Sequence, residues 1–292
     1  MLSFRRYRLP ILLTLCVGMI AVSVSVSART LSVRADRWLE FRSMTGSVEV
    51  ISGGQTRLAQ VGDRIRAIGD QVTTGRSSSA RLAVDTQIGF VLLSENTTIR
   101  VSRLRATRSG GRVTELTVDR GQARLQVRSF TDPDSELNIR TPAGVNGVRG
   151  TDFGVAIQPN GRTGVATLEG EVAAIAAGET VAVAAGLQTM VVPNEPPDPP
   201  MPLTDNPFLD VARLEWSFVG DGATDDETDN LRLVSFQGRT DPVNLLIVNG
   251  ETQPTERTGE FDLQIPVGNV RAFQVTVVTP LGTEQLYELA IP

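Results

Sequence analysis

The sequence predicts an all-β chain, and three observations carry that expectation. Short segments rich in Val, Ile, Thr and Phe recur about every ten residues, and their apolar positions alternate with period two. Turns containing Gly, Asn and Asp separate them, drawing on 27 Gly and 16 Pro. Apolar runs with a helical period are few. The Ala- and Val-rich stretch from Val172 to Val183 mimics a helix, but Gly178 interrupts it. A length of 292 residues accommodates about two domains.

The residues that are missing narrow the chemistry. There is no His and no Lys, so all 28 basic side chains are Arg, and the only thiol is Cys16. Ser-His-Asp and Cys-His nucleophiles, Schiff-base lysines, phosphate-binding Walker lysines and zinc sites built on His or Cys are therefore excluded. So is a disulfide framework. Only carboxylate chemistry survives, such as glycoside or aspartic-peptide hydrolysis, which needs two acids roughly 5–10 Å apart in a cleft. The expectation is a non-enzyme with no cofactor. The net charge of −5 is unevenly spread: residues 29–192 hold 20 Arg against 16 acids, and residues 193–292 hold 5 Arg against 17 acids. The two parts either attract one another or simply keep the surface soluble.

Residues 1–28 begin with Arg5, Arg6 and Arg8, continue with an apolar run from Leu9 to Val22, and end in Val26-Ser27-Ala28. That order of charged region, apolar region and small-residue site reads as a secretory signal peptide; an uncleaved anchor is the competing reading. Leu15-Cys16-Val17 is a poor lipobox. The expected address is periplasmic or extracellular.

Residues 29–192 read as one β-rich unit. Leu39–Met44 leads into a strand at Val48–Ile51 and the Gly53-Gly54 turn. Gly62 to Ile65, then Gly69 to Gly75, then Ala80-Arg81-Leu82 give short strands between glycine corners, with Val72 pointing inward. Phe90–Leu93 and Thr97–Val101 follow; the intervening Asp85-Thr86-Gln87 lacks the Asp-Gly step of a tight hairpin. Arg100, Arg103, Arg105, Arg108 and Arg112 cluster around Ser109-Gly110-Gly111, either as a site for an anionic polymer or lipid head group or as a solvated face. Glu115–Val118 and Ala123–Val127 flank Asp119-Arg120-Gly121, which reads as the turn of a hairpin.

The most organised stretch is Thr141 to Gly170, TPAGVNGVRGTDFGVAIQPNGRTGVATLEG. Phe153, Val155 and Ile157 alternate on one strand and Val165 and Thr167 on the next, joined at Pro159-Asn160-Gly161. Arg149 and Asp152 read either as a recognition pair or as part of a turn in which Gly150 supplies the backbone angle and Thr151 and Asp152 satisfy turn amides. Val181 to Val183 and Met190 to Val192 are two further strands around Gly186.

Thr141-Pro142, Val148-Arg149-Gly150-Thr151 with Phe153, and Leu168-Glu169-Gly170-Glu171-Val172 closely resemble the signature of the FecR domain family of bacterial envelope proteins. The opening segments at Gly62–Leu82 and the closing strands to Val192 fit it as well. The resemblance implies a β-roll or short solenoid-like domain, a periplasmic location and, in members with the full architecture, a relay from an outer-membrane receptor to a cytoplasmic sigma factor. Only about eight residues precede the apolar run, so the chain is expected to lack the anti-sigma segment of such relays, and no family binding residue is carried over. Thr141, Pro142, Val148, Arg149, Gly150, Thr151, Phe153, Glu169 and Gly170 are expected to be structural.

Residues 193–207 hold seven prolines in fifteen positions and read as a semi-rigid spacer without donors for a sheet. Residues 208–292 read as a second module with strands at Val211–Phe218, Val234–Gly238, Pro242–Gly250, Gly259–Pro266, Ala272–Thr279 and Gln285–Ile291. Val243 to Gly250, Gly259-Glu260-Phe261 and Phe273 to Val277 resemble bacterial immunoglobulin-like repeats, which implies a β-sandwich used for adhesion or spacing. The Cys pair and core Trp of antibody-type domains are absent. Asp221, Asp225, Asp226 and Asp229 in the acidic loop are candidate Ca²⁺ ligands, although their spacing is not that of an EF-hand.

Two functions remain. One is a non-catalytic sensory or scaffold protein that binds another envelope protein through strand edges or module faces. The other is a surface adhesin or glycan-binding protein that uses Ca²⁺ in the acidic loop. Nucleic acid is not an expected partner of an exported chain with two Trp and two Tyr, and membrane contact is expected only through residues 1–28 if they are retained. Cleavage after Ala28 gives a mature chain beginning at Arg29; N-terminal sequencing of the envelope fraction checks this, and a chain beginning at Met1 refutes it.

Overall fold

The computed structural model describes residues 37–85, 88–219, 231–267 and 270–291, and every regular element among them is a strand. Ala35–Pro292 forms one compact unit. The first seventeen strands are β1 (Leu39–Thr45), β2 (Val48–Ser52), β3 (Gln55–Leu58), β4 (Arg64–Ile65), β5 (Gln71–Thr74), β6 (Ser79–Val84), β7 (Gly89–Leu93), β8 (Thr98–Ala106), β9 (Arg112–Val127), β10 (Glu136–Arg140), β11 (Val145–Val148), β12 (Asp152–Ile157), β13 (Thr163–Glu169), β14 (Glu171–Ala176), β15 (Glu179–Ala184), β16 (Leu187–Val191) and β17 (Met201–Pro202).

They make two layers that share one strand. Sheet A runs β4-β1-β6-β7-β9-β12-β13-β16-β17. Sheet B runs β3-β2-β5-β8-β9-β10-β11-β14-β15. Among the described strands only β9 and β10 pair in parallel. One apolar core lies between the layers. Sheet A supplies Phe41, Leu82, Leu125 and Phe153, and sheet B supplies Val72, Leu116, Leu137 and Val172.

The residues expected to form a turn at Asp119-Arg120-Gly121 instead lie inside β9. This strand pairs with β8 and β10 over its first half and with β7 and β12 over its second. The apolar phase changes between Leu116 and Val118 on one side and Ala123, Leu125 and Val127 on the other, so each half faces the core from its own sheet. The register against β8 slips between Thr98 and Ile99, which is a β-bulge. Gly121 has φ +86, and an added Cβ would lie 2.6 Å from Thr97 Cα. Thr97 closes the kink: its hydroxyl donates to the Gln122 carbonyl at 3.1 Å and accepts from the Gln122 amide at 3.0 Å.

Two other connections resolve simply. β6 and β7 do pair as a hairpin, with Val84 opposite Gly89, although no Asp-Gly step joins them. Pro159-Asn160-Gly161 forms a three-residue loop closed by Gly161 N donating to Gln158 O, with Gly161 at φ +83.

The remaining strands are β18 (Asp210–Val219), β19 (Leu231–Arg239), β20 (Leu245–Val248), β21 (Glu251–Gln253), β22 (Glu260–Pro266), β23 (Ala272–Val278) and β24 (Glu284–Ala290). They form a three-stranded sheet β18-β19-β22 and a four-stranded sheet β21-β20-β23-β24. Phe236 centres their core, with ring centroids 4.7 Å from Phe261 and 5.5 Å from Phe273. The short β21 pairs with β20, whereas constant-type immunoglobulin domains place the fourth strand in the other sheet.

This second sandwich is seated on the outer face of sheet A. Two cross-strand rows floor the contact: Arg124, Gly154, Ala166 and Gln188, then Gln122, Ala156, Gly164 and Met190. An added Cβ on Gly154 would lie 1.7 Å from the Pro280 carbonyl oxygen, and one on Gly164 would lie 2.3 Å from that of Val243. Ala156 packs with Leu245, Ile247 and Val278. Three buried glutamines ring the contact. Gln122 Nε2 donates to Pro280 O at 2.7 Å, Gln158 Nε2 to Pro242 O at 3.1 Å and Thr255 Oγ1 at 2.9 Å, and Gln188 Nε2 to Asp241 Oδ1 at 3.2 Å.

The proline-dense segment, read as a semi-rigid spacer without donors for a sheet, is held by specific contacts along sheet A. Met201 and Pro202 extend sheet A beside Gln188 and Leu187, and Asp198 O accepts from Thr189 Oγ1 at 2.6 Å. Arg257 holds Glu195 at 2.9 Å and also pairs with Asp198. Prolines lack donors, but Asp198 and Leu203 supply N–H groups to Met190 O and Gly186 O at 2.9 and 2.8 Å.

Gly154→Ala is therefore expected to cost about 2–3 kcal/mol, since a backbone carbonyl cannot step aside as a side chain can. Gly147→Ala, whose Cβ meets only Asn138 Oδ1 at 3.2 Å, is expected to cost under about 1 kcal/mol. Urea unfolding of both variants measures the difference.

Candidate functional site

The Thr141–Gly170 stretch contains two adjacent crossings between the layers. At Arg149–Thr151 the chain leaves β11 in sheet B for β12 in sheet A; at Gly170 it returns from β13 to β14. Gly150 has φ +145, and a Cβ there would lie 2.5 Å from Ser129 Cα. Gly170 has φ +79, and its Cβ would lie 2.6 Å from Gly150 O. The corner thus stacks two bare backbones against a third.

The other signature residues build this corner. Thr141 closes the β10–β11 turn, its N–H donating to Gly144 O at 2.8 Å around Pro142. Val148 and Phe153 are buried in the core. Thr151 O accepts from Val127 N at 2.8 Å, while its buried hydroxyl has no partner among the described residues. Glu169 sits exposed opposite Asp152.

Arg149 and Asp152 are not a pair. Arg149 Nη2 donates to Pro133 O at 2.8 Å. Asp152 is held by Arg124 through Nε at 2.7 Å and Nη2 at 2.9 Å, with Gln126 Nε2 at 3.3 Å. The hydrogen bonds to Asp152, with the charges of Asp152, Asp205 and Glu169, raise Arg124 above its ordinary guanidinium value, against a smaller lowering from burial. Arg124 Nη1 reaches Leu281 O at 3.5 Å, so the aspartate of the signature braces the seating of the second sandwich.

Shallow grooves flank the corner. Phe90, Arg128, Asp152 and Glu169 line one on the sheet A side; Glu136, Asn138, Arg149 and Glu171 line the other on the sheet B side. A third, between the sandwiches, mixes Asp210, Glu256, Glu260 and Asp262 with Arg162 and Arg239. In the arginine cluster, Arg100 is engaged by both Asp119 oxygens at 2.8 Å, and Arg103, Arg105 and Arg108 are exposed along the β8–β9 hairpin. Arg37 lies beneath that hairpin, buried, with Nη1 donating to Arg105 O at 2.6 Å and Val113 O at 2.7 Å and Nη2 at 2.6 Å from Asp85. Burial lowers its pKa, and Asp85 opposes that shift.

Among the described residues no group of three or more His, Cys, Asp or Glu is placed to hold a metal ion. The candidate ligands Asp221, Asp225, Asp226 and Asp229 lie outside the described residues. Sequence reasoning missed the floor of the module contact, Gly154, Ala156, Gly164 and Ala166. Its one signal is Gly-x-Ala repeated on two neighbouring strands, on the face opposite Phe153, Val155 and Val165.

Residues 70–173 match the family described as FecR protein, so a FecR domain lies within sheets A and B. The layers extend beyond the match on both sides, from Leu39 to Pro202. No curated protein matches the chain. Among solved structures, two crystal structures of a "putative anti-sigma factor" from Parabacteroides distasonis ATCC 8503, at 1.65 Å and 2.50 Å resolution, are similar. They share 18% and 16% identity, cover 45% of this chain, and give TM-scores of 0.36 and 0.37. The chain spans 59% of the length of each.

Gly150→Val is expected to destabilise by about 3 kcal/mol or more, because neither the backbone angle nor Ser129 leaves room for a β-branched side chain. Arg149→Ala, at an exposed position with one carbonyl contact, stays within about 0.5 kcal/mol. Thermal melting decides; equal melting temperatures for Gly150→Val and the parent refute the structural reading of the corner.

Proposed function

We propose that this chain is an exported, non-catalytic envelope protein whose FecR domain acts as a sensory or scaffold module by docking another envelope protein. The carrying observation is the FecR match at residues 70–173, in a domain whose signature side chains are used in building the fold. Composition supports the non-catalytic part. No imidazole and no amine side chain is available, and the one thiol precedes the expected cleavage site. The immunoglobulin-like resemblance of the second sandwich fits a module that positions the first.

The seating of that sandwich supports one face over the other for docking. Gln122, Ala156, Ala166 and Gln188 on the outer face of sheet A are covered. The outer face of sheet B keeps Asn138, Arg140 and Glu171 accessible beside the signature corner, with Ile175 40% exposed further along. A partner is therefore expected on sheet B.

Site-specific photo-cross-linking in the native envelope tests this. Probes at Asn138 and Ile175 are expected to capture a defined envelope protein, and a probe at Leu286 on the second sandwich is not. Recovery of no protein from any probe overturns the docking reading.

A further inference from the structure

Among the described residues sheet B ends at β15, and this edge differs from the other described edges. Exposed edges normally carry charge or proline that discourages pairing. Here β3 carries Arg57, β17 carries Pro202, β18 carries Asp210, Arg213 and Glu215, β22 carries Glu260 and Asp262, and β24 carries Glu284 and Glu288. After Glu179 at the turn, β15 reads Thr180-Val181-Ala182-Val183-Ala184, with no charge and no proline. Among the described residues β14 is its only paired neighbour.

We propose that β15 pairs antiparallel with β15 of a second copy of this chain, joining two B sheets across a two-fold axis at Ala182. The inference goes beyond the docking reading and does not depend on it.

The hydrogen-bond pattern fixes which backbone groups are free. Ala185 N donates to Gly170 O at 2.9 Å, and Glu171 stands opposite Ala184. In an antiparallel ladder bonded pairs alternate, so Val183, Val181 and Glu179 bond inward to β14. The N–H and C=O groups of Thr180, Ala182 and Ala184 therefore point away from the sheet.

A copy related by the two-fold axis satisfies all of them. Thr180 pairs with Ala184 of the copy, Ala182 with Ala182, and Ala184 with Thr180. The side chains on this outer row are small, and at the axis Ala182 has only Ala173 as its neighbour on β14; the larger Ile175 and Glu171 stand one strand further in, beside Thr180 and Ala184. On the core side Val181 is only half-buried because the sheet stops there, and the pairing sets it against Val183 of the copy. The charges also agree. Glu179 falls opposite Ala185 of the copy, so the two carboxylates lie at opposite ends of the seam and not against each other. Such an interface is isologous and closes at two copies.

Charge pairs at the axis test this on the purified chain. Ala182→Lys sets two ammonium groups directly opposite one another, and Ala182→Glu sets two carboxylates. Position 182 is exposed, so neither substitution disturbs the fold. By sedimentation equilibrium the parent is expected to dimerise, each variant alone to do so about three- to five-fold more weakly, and an equimolar mixture of the two to recover parental affinity. Ala182→Pro removes only an outward N–H, leaves every β14–β15 bond in place, and is expected to abolish dimerisation. A parent that stays monomeric to about 100 μM, well above ordinary specific affinities, overturns the proposal. So does a dimer unaffected by Ala182→Lys and Ala182→Glu, or a mixture that fails to recover.

Discussion

The seating of the second sandwich on the first depends on how closely two carbonyl groups approach one sheet. Layers that meet through side chains sit about 10 Å apart. At Gly154 and Gly164 there is no side chain, so the carbonyls of Pro280 and Val243 rest on the sheet itself. That closeness lets Gln122, Gln158 and Gln188 reach backbone and carboxylate acceptors on the second sandwich while buried. It also makes β12 and β13 interior strands on both faces, which accounts for their nearly continuous burial. Buried amides of this kind are stabilising only when fully paired, so the contact has one geometry and tolerates little adjustment.

Much of the fold is legible in the sequence because its signals are local. Alternation marks β12 and β13, Asn160-Gly161 marks their connection, and Ala177-Gly178 separates β14 from β15 with φ +47 and +82. Two features escape for physical reasons. Asp119-Arg120-Gly121 offers the same residues to a turn as to a bulge, and only the neighbours on either side determine that β9 continues. The floor of the module contact escapes because Gly and Ala carry almost no hydrophobic signal, although a bare backbone is what the contact requires. In the proline-dense segment composition shows the missing donors but not the few N–H groups that hold it to sheet A.

The signature is legible as a family mark and silent as a site. Its glycines, its aspartate and its buried aromatic all act on the fold: two clear a backbone crossing, one fixes Arg124, and Phe153 fills the core. Side chains committed in this way are unavailable to a ligand. On the proposed docking reading, recognition falls to surfaces outside the corner.

Arg37 gives the fold a further property. Its guanidinium binds two carbonyls on the β8–β9 hairpin, the Thr114 hydroxyl and the Asp85 carboxylate, just where the described chain begins. The start of the described chain is therefore tied to more than the neighbours of β1. Through Val113 and Thr114 the guanidinium anchors it to β9, the strand common to both sheets.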